Sequence, residues 1–101
     1  MTRDEALAAL GHLEHLVRRS PDVPEALAEF RSHVAALKAV PGAGAAFCDN
    51  LAHAELNASQ LFIPQERGNT GYTSRTYGVS LTILLLADIA AARRNLPKSL
   101  S

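Results

Sequence analysis

Tryptophan is absent from this chain of 101 residues, which carries only three phenylalanines, two tyrosines and one cysteine. A single cysteine, Cys48, excludes an internal disulfide and predicts a reducing compartment. Net charge is lacking too: ten Lys and Arg balance ten Asp and Glu, which counts against strong nonspecific attraction to nucleic acid. No long apolar run is present either. The stretch 79–92 is interrupted by Asp88 and falls short of the ~18 residues that a membrane span needs. The polar opening Met1-Thr2-Arg3-Asp4-Glu5 has no signal-peptide pattern. Together these absences predict a cytoplasmic protein with no membrane segment.

What the chain has in place of aromatics is alanine and leucine, within a hydrophobic fraction of 48%. Both are strong helix formers, so the expectation is helical before any pattern is read. A chain of this length forms one domain, 1–101, and buries roughly two-thirds of its unfolded surface without metals or disulfides.

Periodicity divides the chain into four helices, at about 3–19, 23–39, 43–61 and 79–95. Thr2 and Glu5 have the spacing of a capping box, and Leu7, Leu10, Leu13 and Val17 follow along one face. Asp22 and Glu25 repeat that spacing, with Pro24 in the first turn and Val23, Leu27, Phe30, Val34 and Leu37 as the buried stripe. The first two helices read as an antiparallel pair. The third carries Phe47, Leu51, Ala54, Ala58 and Leu61 but no strong cap, and Phe62-Ile63-Pro64 ends it. The fourth is apolar on every side, which predicts a helix enclosed by the bundle or shared between subunits. Beyond Leu96-Pro97 a frayed tail is expected.

Between the third and fourth helices lies a polar hinge, 64–78, with no helical period. Loops of that length in small domains are usually functional or disordered. The fold predicted is therefore all-α, a four-helix bundle-like domain with a long polar connection before its last helix. The alternative is α+β, because Tyr77, Val79, Leu81 and Ile83 alternate with small polar residues and could pair with 61–63 as a short hairpin.

The hinge holds the first candidate site: Arg67, Asn69, Tyr72, Arg75 and Tyr77. Arginine offers a planar fork for phosphate or carboxylate, tyrosine a stacking face, and glycine-rich backbone an anion cradle. Residues 1–63 hold five basic and eight acidic side chains, whereas 64–101 hold five basic and two. That asymmetry fits an anionic partner for the second part, extended by Arg93 and Arg94, or two parts that face each other. Asp88, set among Leu85, Leu86, Ile89 and Ala92, is a candidate buried acid that needs a partner. His12 and His15 are three apart, and Asp49 and His53 four apart, but neither pair brings a third ligand, so no metal site and no cofactor are predicted.

These features predict a small non-enzymatic interaction or regulatory protein, a homodimer, that uses the hinge 64–78 to contact a protein partner. The alternative is a nucleic-acid or phosphate-anion binder using Arg67, Arg75 and the hinge tyrosines. A lesser one is a small metal-dependent enzyme built on His12, His15, Asp49, His53 and Asp88.

Overall fold

The Thr2 hydroxyl accepts the Glu5 backbone N–H at 3.1 Å, and the Glu5 carboxylate accepts the Thr2 N–H at 2.9 Å, so the capping box forms as the sequence predicts. It starts α1 (Arg3–Arg19) in a computed structural model that describes residues 1–67 and 74–101, with side chains at 1–66 and 77–101. Then come α2 (Glu25–Lys38), α3 (Ala45–Phe62), a 3-10 turn (Pro64–Arg67) and α4 (Ser74–Arg94). No strand occurs among the described residues, and the proposed hairpin is overturned because 77–83 is helical. The helix wins because Leu81, Leu85, Ile89 and Ala92 recur four, four and three apart and all bury on one side. A two-residue alternation would have buried Leu81 and left Leu85 and Ala92 on opposite faces.

The second capping box does not form. Pro24 occupies the N-cap position of α2 with no side-chain cap, and Asp22 sits at φ 64° with its N–H donated to the Leu61 carbonyl at 3.0 Å. The chain turns sharply here, so Val23 is left exposed while Ala26, Leu27, Phe30, Val34 and Leu37 bury. Asp22 tolerates the left-handed region better than a branched residue would.

The helices run up and down, each packed on the next, with α4 closing back onto α1 and the α3–α4 contact the most extensive. Phe30 of α2 meets Phe62 of α3 with ring centroids 5.7 Å apart and planes tilted by 59°. Both are fully buried, together with Leu10, Leu13, Leu37, Leu51, Leu61, Leu81, Leu85 and Ile89 in one continuous core. Such tilted aromatic pairs add to the area they bury.

Two expectations about the last third of the chain need correction. The hinge is shorter than 64–78, because 64–67 forms a 3-10 turn and α4 begins at Ser74; what remains, 68–73, lies outside the described residues. Gly78 is within α4, and the Thr82 hydroxyl donates to its carbonyl at 2.9 Å. The tail is not frayed: Leu96 and Leu100 are buried, the Arg3 N–H donates to the Ser101 carbonyl at 2.8 Å, and the Arg3 guanidinium donates to the Pro97 carbonyl at 3.1 Å.

Candidate functional site

α4 is not enclosed by the bundle. Its buried line is Leu81, Leu85, Ile89 and Ala92, and the opposite side leaves Val79 57%, Ile83 65% and Leu84 52% exposed. Small residues lie between them: Ser80 and Ala87 are exposed, and Ala90 and Ala91 half-buried. Val79, Ile83, Leu86 and Ala90 are spaced four, three and four apart, and Ser80, Leu84, Ala87 and Ala91 repeat that spacing one residue on. Two parallel ladders at this spacing suit a second helix packed at a shallow angle. From residue 76 to residue 87 the sequence contains no charged side chain.

The rest of α4 is tied to α3 by a polar seam. The Tyr77 hydroxyl donates to Gln60 Oε1 at 2.8 Å, Asn57 Nδ2 donates to Asp88 Oδ2 at 3.0 Å, and Asn95 Nδ2 donates to Asn50 Oδ1 at 2.8 Å. Asn57 to Asn50 steps back seven residues while Asp88 to Asn95 steps forward seven, which is the register of an antiparallel pair. Asp88 is half-buried and has the hydrogen-bond partner its apolar neighbours require, supplied by an asparagine of α3. Arg93, considered above as part of a basic patch, pairs with Glu14 of α1, so the basic end of the chain meets its acidic start at this point.

Of the hinge candidates, Tyr77 alone has a described side chain. Asn69 and Tyr72 lie outside the described residues, Arg67 ends the 3-10 turn, and Arg75 is in the first turn of α4; the side chains of both arginines lie outside the described set. Tyr77, half-buried, belongs to the α3–α4 seam.

A second grouping joins residues the sequence did not pair. His12 Nε2 of α1 lies 2.7 Å from Glu29 Oε1 of α2, and the His12 and His33 ring centroids are 4.6 Å apart. One ligand atom from each of His12, Glu29 and His33 lies within 4.8 Å of the others, and among the described residues this is the one such group of three. His15 stacks beside His12 at 6.2 Å, whereas Asp49 and His53, exposed on α3, join no such group. The overlooked signal was Glu29 and His33, four apart and therefore on one face of a helix that packs on α1.

Compared with protein-family models, with curated proteins and with solved structures, the chain has no significant match.

Proposed function

We propose that this chain is a non-enzymatic interaction protein that associates with a second copy of itself through the exposed face of α4. The observation that carries the reading is the exposure of Val79, Ile83 and Leu84 on a helix whose other side is core. A patch without charge matches itself across a twofold axis, where like charges would otherwise face each other. Exposed apolar surface of this kind marks interaction sites on small proteins.

From these side chains alone the energetics support at most a weak dimer. Covering three half-exposed aliphatic side chains on each of two copies is worth on the order of 6 kcal/mol, from about 1.5–3 kcal/mol for a complete burial. Association costs roughly 4–15 kcal/mol of lost freedom, so these side chains alone offset the low end of that range.

Sedimentation equilibrium across a wide concentration range tests the proposal. Wild-type protein is expected to dimerise reversibly, and Ile83→Glu to stay monomeric with an unchanged helical circular dichroism spectrum. A wild-type chain that remains strictly monomeric at high concentration, or a dimer indifferent to Ile83→Glu, overturns it.

A further inference from the structure

The geometry points to a divalent transition-metal site of the zinc class, formed by His12 of α1 with Glu29 and His33 of α2. Two imidazoles and one carboxylate are the donor set that borderline metals such as Zn2+, Co2+ and Ni2+ select, whereas Mg2+ and Ca2+ select all-oxygen shells. The three ligand atoms lie within 4.8 Å of one another. Ligands sharing a tetrahedral metal at about 2.0–2.1 Å stand roughly 3.4 Å apart, so closure needs side-chain movement of the order of an ångström. Side-chain exposures of 38% for His12 and 52% for Glu29 leave room for that movement and for the ion to enter.

A simple hydrogen bond accounts for only part of the cluster. His12 and Glu29 satisfy each other at 2.7 Å without any help from His33. Yet His33 is set four residues beyond Glu29, one turn along the same helix face, with its ring 4.6 Å from that of His12. The hydrogen bond engages only His12 and Glu29, whereas a metal ion accepts a lone pair from all three at once. Positions left open by three protein ligands are filled by water, as in sites that later admit a further ligand. Bound metal would tie α1 to α2.

The test is isothermal titration of Zn2+ into protein without a polyhistidine tag, with thermal unfolding followed in parallel and Mg2+ as the control ion. One equivalent of Zn2+ per chain is expected, with a rise in Tm that grows with free metal, because the ion binds the folded chain selectively. Saturable binding is expected to be lost in His12→Ala and in His33→Ala, weakened in Glu29→Gln, and kept in His53→Ala. The Ile83→Glu chain is expected to bind as the wild type does, which separates this site from the proposed self-association. Absence of saturable Zn2+ binding overturns the inference, as does binding that survives His33→Ala or disappears in His53→Ala. A folded His33→Ala chain, checked by circular dichroism without metal, keeps its loss of binding from being a loss of structure.

Discussion

Asn57 and Asp88 face each other across the α3–α4 contact, amide to carboxylate at 3.0 Å, one residue from each of the two helices that make the largest contact in the fold. The pair sits beside Leu85 and Ile89, both fully buried. A half-buried hydrogen bond to a charged acceptor contributes about 1–2 kcal/mol. Asp88→Ala is therefore expected to lower the unfolding free energy by about that much, and Asp88→Asn by less, since an amide still offers an oxygen to Asn57. Urea unfolding of both variants and of Asn57→Ala, combined as a double-mutant cycle, measures the coupling. A coupling energy near zero would show that Asp88 is held by solvent and not by Asn57.

Much of the all-α fold was legible because its signals are local. Thr2 and Glu5 lie within one turn, and the Leu10, Leu13 and Val17 stripe depends on no other helix. Asp22 and Glu25 carried the same cap spacing, yet α2 starts after Pro24, because the chain at Asp22 is drawn to the Leu61 carbonyl by tertiary contact. The start of α4 was obscured by Gly78, whose helix propensity is about 1 kcal/mol below that of alanine, and by the alternation from Tyr77 to Ile83. Burial against α3 overrides both. The exposed side of α4 was masked by uniform leucine and alanine: composition states that a helix is apolar, not which side the neighbours leave uncovered. His12, Glu29 and His33 were invisible as a group because the register between α1 and α2 is written in no single stretch of sequence.

The α1 cap makes stability depend on pH. The backbone N–H and hydroxyl of Thr2 both hold the Glu5 carboxyl below its ordinary value of 4.5, the backbone bond being the larger cause. A carboxylate depressed by folding contributes stability that is fully present above its unfolded value and disappears as pH falls through the lower, folded value. Wild-type protein is thus expected to melt a few degrees above Glu5→Ala near neutral pH. The gap should narrow below about pH 4.5 as the Glu5 arm of the box is lost. A gap that widens on acidification would contradict this assignment.

The C-terminal segment behaves as core. Leu96 is 3% and Leu100 7% exposed, and Gly42, at φ +79°, passes so close that an added Cβ would stand 3.2 Å from the Ser99 hydroxyl. Leu100→Ala is expected to cost about 2 kcal/mol, the lower end for a buried leucine at an edge of the core. Gly42→Ala is expected to cost more than 1 kcal/mol or so, because alanine is strained at positive φ and crowds the same segment. Denaturant unfolding reads both; a neutral Leu100→Ala would return this segment to the frayed tail that sequence alone suggests.

The order of helix contacts carries a consequence for how the chain finds its fold. α1 with α2, α2 with α3 and α3 with α4 are contacts between sequence neighbours, whereas α4 with α1 closes a loop of nearly the whole chain. Loop-closure entropy charges most for that last contact, and topologies dominated by near-neighbour pairings fold fast. The α3–α4 hairpin, with its seam already paired, is the natural nucleus, and the docking of α1 onto α4 through Glu14–Arg93, and onto the C-terminal segment through Arg3–Ser101, is the natural last step. By the same reasoning it is the first seam to open, so amide exchange in α1 should outpace exchange in α3 whenever the native protein breathes.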